Sequence, residues 1–314
     1  MPKVIQSAVA ALLIAGLIST ADAEDAEHHQ MPVPDFAAER SVAHGDVLSV
    51  TYPSSAFGME RRMHVYTPPG YAVEGRSYPV LYLIHGGGGD DTTWTKGGRA
   101  NFILDNLLAE RKASPMIVVM PNGGYEDGRE MERRPADVSR DLSSVVLSAA
   151  ALRDRFIDDM RSAIIPYVEA NYRVAADRQS RAIAGFSFGG AEALWAATGH
   201  PEDFAWVGVF SMGIQGSSNA SPNGIAGSGS SANPSEFVAA HEAFFANAAK
   251  TNADFRLFWI GSGLEDTVVA NGPVQLSQTL IDKGVAHEFH ATTGGHDFAN
   301  WQDYLRQFAS KLFR

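Results

Sequence analysis

The chain has 314 residues, 45% of them apolar and 10% aromatic, with 36 acidic against 25 basic side chains and no cysteine. That is enough apolar material for a sizeable core, and the length allows one large domain or two small ones. A net charge of −11 argues against a nucleic-acid surface, and zero cysteine excludes disulfides, thiolate metal sites and cysteine nucleophiles.

Met1 to Ala23 reads as a secretory signal peptide. Lys3 supplies the positive start, Val9 to Ile18 is an apolar run too short to span a bilayer, and Ala21-Asp22-Ala23 offers a small-x-small cleavage site. Cleavage removes Lys3 and Asp22 together and leaves the charge unchanged. The expectation is a periplasmic or secreted protein with no membrane insertion after cleavage. Residues 24–45 are polar and contain Pro32 and Pro34, which predicts a flexible leader before a domain spanning 46–314.

From Val47 onward strand-like and helix-like segments follow one another. Pro79 to Ile84, Pro115 to Met120, Ala182 to Ala184, Ala205 to Phe210 and Phe255 to Ile260 are short apolar runs, as expected of strands buried on both faces. Asn101 to Lys112 and Arg155 to Tyr172 have helical spacing, the second with Pro166 as a kink. Phe298, Trp301, Leu305, Phe308 and Leu312 form one stripe on a last helix. This alternation predicts one α/β domain: a mostly parallel central sheet with helices on both faces. Residues 216–235 hold seven Ser, four Gly, three Asn and two Pro, too polar to pack a core. They predict a surface loop, either an active-site lid or a neutral insertion.

The chemistry starts at Arg181-Ala-Ile-Ala-Gly-Phe-Ser-Phe-Gly-Gly190. An apolar strand runs into Gly-x-Ser187-x-Gly and then into a helix-forming run, the context of a nucleophile elbow. Glycines flank the serine because a Cβ there would collide with strand and helix. His85-Gly-Gly-Gly-Gly89 follows the strand that ends at Ile84; its backbone amides can approach an oxygen that becomes negative during acyl transfer. The phosphate-binding patterns GxxxxGK[ST] and GxGxxG are absent. His85 itself fits a loop-holding role better than that of a base.

An activated serine needs a base, and the base an orienting carboxylate. Glu265 and Asp266 both stand at the C-terminal end of the strand from Phe255, and His296 follows the last strand, Ala286 to Ala291. His287 and His290 lie within that strand and point to opposite faces, a poor shared metal site. A zinc hydrolase built on His287, Glu288, His290 and His296 also lacks HExxH spacing.

With these elements in order, the chain resembles the putative esterase family of α/β hydrolases. That family holds feruloyl and acetylxylan esterases of carbohydrate esterase family 1, enterochelin-esterase-like proteins, esterase D and the mycolyltransferases. The segments that carry the resemblance are LYLIHGGGGDDTTW, NFILDNLLAE, MIVVMPNG, FIDDMRSAIIPYVEANYRV, RAIAGFSFGGAEAL, FWIGSGLED and TTGGHDFANWQDYL. The resemblance implies an α/β-hydrolase fold, Ser187 as nucleophile, His296 as base and Asp266 as the acid. It implies an oxyanion hole from the backbone N–H groups of Phe188 and Gly87, and no metal or cofactor. It suggests His85, Gly88, Trp94 and Trp301 as substrate-binding positions, with core packing the alternative for the two tryptophans.

The implied activity is hydrolysis of a feruloylated or acetylated polysaccharide. A siderophore trilactone esterase, an acyltransferase of the mycolyltransferase type and a non-catalytic glycan-binding protein are the competing readings. The partner is a small-molecule or glycan ester, while oligomeric state is not legible. The segments 125–137 and 216–235 depart from the family pattern and leave the ester itself open.

Overall fold

The computed structural model describes residues 33–123, 149–214 and 233–314. The expected signal peptide, the segment 125–137 and residues 216–232 of the Ser/Gly-rich stretch lie outside the described residues.

The sheet has eight strands: β1 (Asp46–Ser54), β2 (Met59–Thr67), β3 (Val80–Ile84), β4 (Ile117–Pro121), β5 (Arg181–Phe186), β6 (Trp206–Phe210), β7 (Leu257–Gly263) and β8 (Glu288–Thr292). Their order across it is β1-β2-β4-β3-β5-β6-β7-β8. From β3 to β8 all strands run parallel, as alternating strands and helices require. β1 and β2 form an antiparallel hairpin that joins through β2 to β4. The hairpin was not among the expected strands, because its exposed positions carry charge (Met59-Glu-Arg-Arg-Met-His) and break any continuous apolar run.

Side chains alternate between the faces of each central strand, so the core has two halves. Tyr82, Ile84, Val119, Ile183, Val207 and Val209 join one cluster. Leu81, Leu83, Val118, Ala182 and Ala184 join the other, under Trp94, Leu107, Trp301, Leu305 and Phe308. The last helix, Phe298–Ala309, buries Trp301, Leu305 and Phe308 of the expected stripe, and Leu312 is buried just past its end. Asp297 caps the start of this helix by accepting from the Asn300 amide at 3.1 Å. The expected helix with a Pro166 kink is two α-helical segments, Ala149–Asp159 and Ile165–Asn171, joined by a π-turn over Met160–Ile164. Proline brings no N–H for the carbonyl one turn back, so the helix widens just before it.

The described part of the expected leader, residues 33–45, is docked rather than flexible. The buried Asn106 amide donates to the carbonyls of Phe36 (3.0 Å) and Ala38 (2.8 Å). Arg99 Nε donates to the Ala37 carbonyl at 2.7 Å. The carboxylate of buried Asp105 receives His44 Nδ1 (2.8 Å), the Gly45 amide (3.0 Å) and the Tyr66 hydroxyl (2.7 Å).

The order of strands reverses beside β3: β4 lies on one side of it and β5, which follows β4 in the chain, on the other. A crevice opens at such a switch point, above the C-terminal ends of the parallel strands.

Candidate active site

Ser187 sits at that switch point, between the end of β5 and the helix Phe188–Gly199. Its backbone is strained, with φ 52° and ψ −126°, and its amide donates to the Phe210 carbonyl at 2.9 Å. The turn is possible only because its flanks lack side chains. A Cβ on Gly185 would come within 2.4 Å of the Gly189 carbonyl oxygen, and one on Gly189 within 2.3 Å of the His85 carbonyl oxygen.

His296 Nε2 lies 2.9 Å from Ser187 Oγ, and its Nδ1 lies 2.8 Å from Asp266 Oδ2. With Nδ1–H donating to the carboxylate, Nε2 is left to accept the serine proton. Of the two acidic candidates, Asp266 is the one that turns inward, while Glu265 is exposed. The other Asp266 oxygen accepts from the amides of Val268 (3.1 Å) and Val269 (3.3 Å). Burial alone pushes the Asp266 carboxyl up. The hydrogen bond and charge of His296, the Val269 amide and the Ser211 hydroxyl outweigh burial and hold it below the ordinary carboxylate value.

The glycine loop abuts the serine from β3, the neighbouring strand. A Cβ on Gly86 would fall 3.1 Å from Ser187 Cβ. Gly87 and Gly88 are exposed, Gly88 has φ +77°, and among the described residues the Gly87 amide has no acceptor. Phe188 opens the helix, so its amide and the helix dipole both stand at the serine.

His85 is buried under the loop. It donates from Nδ1 to the Gly86 carbonyl (2.7 Å) and accepts at Nε2 from the Gly123 amide (2.8 Å). Burial pushes its pKa down, consistent with the neutral ring that this pattern needs. His85 is thus a loop holder with both ring nitrogens on backbone, and neither is left for a substrate.

Trp94 was a candidate pocket residue, but it is 1% exposed, packs edge-on against Phe186 and Phe210, and donates to the Ile84 carbonyl at 3.0 Å. It belongs to the core beneath the loop, since a ring that large and a satisfied N–H both favour burial. Trp301 is 7% exposed, stacked on Phe186 at 3.9 Å between centroids and edge-on to the His296 ring at 5.1 Å. It packs against the imidazole.

The four residues considered as a metal set do not come together, although two of them touch. His287 bonds Ser277 Oγ and the Val285 carbonyl, while His290 pairs with Glu288 and stacks on Trp259. Among the described residues one other group, His200, Glu202 and Asp203, brings possible ligands together, and Arg161 pairs with both of its acids.

Polar groups outside the motifs also reach this site. On one face of β2, Arg61 donates to Asp159 (3.1 Å) and to the carbonyls of Asn122 (3.0 Å) and Gly123 (2.8 Å). On the other face, Arg62 forms a two-pronged pair with Asp91 (2.7 and 2.6 Å), whose carboxylate also takes His64 Nδ1 at 2.6 Å. The available signal was a pair of arginines in a segment with no helical period.

The family model described as Putative esterase matches residues 54–312. An endo-1,4-β-xylanase/feruloyl esterase of Xylanibacter ruminicola is 34% identical over 192 residues, 59% of this chain and 24% of that protein. Esterase Rv1288 of Mycobacterium tuberculosis is 29% identical over 272 residues, 79% of this chain and 55% of the relative. The chain therefore spans a quarter to about half of these relatives. Among solved structures, the CE1 ferulic acid esterase of Anaeromyces mucronatus in complex with ferulic acid superposes with a TM-score of 0.71 at 23% identity, covering 89% of this chain and 96% of that one. The enterobactin esterase of Shigella flexneri gives 0.58 at 17% identity, covering 84% and 58%.

Fold and comparisons together place the chain on the α/β-hydrolase scaffold. The chain belongs to the Putative esterase family.

Proposed function

We propose that the chain hydrolyses carboxylic esters through an acyl-enzyme on Ser187, and that its substrate is an exported ester such as feruloylated or acetylated polysaccharide. The observation that carries this is the unbroken relay Ser187–His296–Asp266 beside an exposed glycine-loop amide.

In this reading His296 Nε2 takes the Ser187 proton as Oγ adds to the ester carbonyl carbon. The resulting oxyanion is held by the amides of Phe188 and Gly87. The tetrahedral adduct collapses, the C–O bond to the alcohol breaks, and His296 delivers its proton to the departing alkoxide. Water then enters, gives its proton to His296 and attacks the acyl carbon; collapse returns that proton to Ser187 Oγ and releases the acid. Asp266 keeps the imidazole in the tautomer that can accept at Nε2 throughout. The chain supplies every group in this sequence. A feruloyl ester is supported by the feruloyl esterase relative and the ferulic acid-bound neighbour, and export by the Met1 to Ala23 segment.

A panel of methyl ferulate, acetylated xylan, p-nitrophenyl acetate and a catecholate trilactone, assayed with the wild type and Ser187→Ala, tests the reading. Turnover of ferulate or acetyl esters by the wild type, lost by about 10⁴-fold or more in the variant with its melting temperature kept, is the expected result. Undiminished turnover by Ser187→Ala would refute the nucleophile. Preference for the trilactone, or acyl transfer to an added sugar, would replace the substrate class.

A further inference from the structure

We infer that strand β2 is a two-sided clamp on the glycine loop, with Arg61 and Arg62 as positioning residues for the Gly87 amide. The inference rests on the reading that this amide serves the oxyanion.

Consecutive residues of a strand point to opposite faces, so two adjacent arginines can grip a neighbour from both sides. Arg61 works on the side of the helix Ala149–Asp159. Its ion pair with Asp159 is fully shielded, with both side chains at 0% exposure. Asp159 is in turn fixed by the Tyr52 hydroxyl (2.8 Å) and by Ser54 Oγ. From this anchor Arg61 holds the two carbonyls just past β4, those of Asn122 and Gly123. The Gly123 amide then bonds His85, and His85 bonds the Gly86 carbonyl. A continuous chain of buried hydrogen bonds thus runs from Asp159 to the residue before Gly87.

Arg62 works on the other face and holds the far end of the loop. Both Asp91 oxygens are engaged by its guanidinium, and His64, two residues along the same strand, shares the carboxylate. The Asp91 side chain is entirely buried in this cluster. Gly86 and Asp91 therefore bracket the exposed Gly87-Gly88 tip, and both brackets lead back to adjacent residues of one strand.

The arrangement answers a physical problem. Four successive glycines have more backbone freedom than any other tetrapeptide, yet an oxyanion donor stabilises a transition state only if it is already aimed. Stability alone is a poor explanation for the Arg61–Asp159 pair, because apolar residues of similar volume commonly serve a core as well or better. Bidentate contact to Asp91 likewise fixes direction, which a single point charge does not.

The test uses the full chain and three variants: Arg62→Gln, Arg62→Lys, and the double replacement Arg61→Met with Asp159→Leu, which removes both buried charges together. Turnover of p-nitrophenyl acetate is measured alongside hydrogen–deuterium exchange of the peptides covering 84–92 and 181–190. The expected result for Arg62→Gln and for the double variant is a fall in kcat of about 10- to 100-fold, with KM within about twofold and faster exchange confined to 84–92. Arg62→Lys should recover only part of kcat, since it restores charge without the fork. Wild-type kcat together with wild-type exchange in the loop would overturn the clamp. So would equal acceleration of exchange in both peptides, which marks general loosening. A wild type that turns over no ester refutes the hydrolase reading instead, and loop exchange still decides whether β2 holds the loop.

Discussion

Two turns meet at the switch point, and they are held in opposite ways. The elbow at Ser187 is fixed by its own backbone: a strained φ, glycines that admit no Cβ, and a helix that begins at the next residue. The glycine loop opposite has one local tie, the Gly89 amide donating to the Gly86 carbonyl at 3.2 Å. It is otherwise held by side chains from β2 and the helix before the π-turn and by main chain at the exit of β4. A tight turn can thus be held by its own strained backbone, whereas a run of glycines borrows much of its rigidity from distant elements.

The comparison can be broken most severely at the relay. Asp266→Asn should lower kcat by about 10⁴-fold by presenting the wrong imidazole tautomer, while Glu265→Gln should stay within about twofold, as exposed positions usually do. Steady-state assay of both variants checks this, and the reverse order would move the acid by one residue. Next comes the contact between the two turns. Gly189→Ala puts a methyl against the His85 carbonyl and should cost about 1–3 kcal/mol of stability and about 10²-fold in kcat. Thermal melts and turnover measured together would show it, and an unaffected variant would mean the turns are not in register with each other.

Smaller effects separate the loop from the elbow. The pKa of His85 is lowered by burial, so the unfolded chain binds more protons once pH drops below the free imidazole value. The contribution of His85 is therefore complete above about pH 6.5 and is lost as pH falls toward its folded pKa, by at most about 1.4 kcal/mol per pH unit. Denaturant titrations at pH 5 and pH 8 should show this slope in the wild type and a shallower one in His85→Gln. Trp94→Phe keeps the ring but removes the donor to Ile84, and should cost about 1 kcal/mol with kcat unchanged. A large loss of kcat there would return Trp94 to the substrate pocket.

The same contrast explains what was legible in the sequence. Gly-Phe-Ser-Phe-Gly encodes its own geometry within five residues, and Asp266 and His296 announce themselves by following strands in the expected order. The mostly parallel sheet was likewise visible, since β3 to β7 carry short apolar runs between helical segments. The β1–β2 hairpin was not, because half of its side chains face water or carry charge. Arg61 and Asp159 stand 98 positions apart and belong to no motif, so nothing local pairs them. Trp94 read as a rim aromatic because large rings serve rims and cores equally well. Residues 33–45 read as a leader on composition, yet they dock largely through main-chain carbonyls, which every sequence possesses.

That docked segment sets where the folding unit begins. A truncation starting at Asp46, the first residue of β1, would take away the two carbonyls that satisfy the Asn106 amide. It would also take two of the donors on Asp105 and the carbonyl that receives Arg99. Both Asp105 and Asn106 are interior, so a single cut would strand a carboxylate and an amide at once. Trimming for expression must therefore keep the segment from Phe36 onward, well ahead of the sheet.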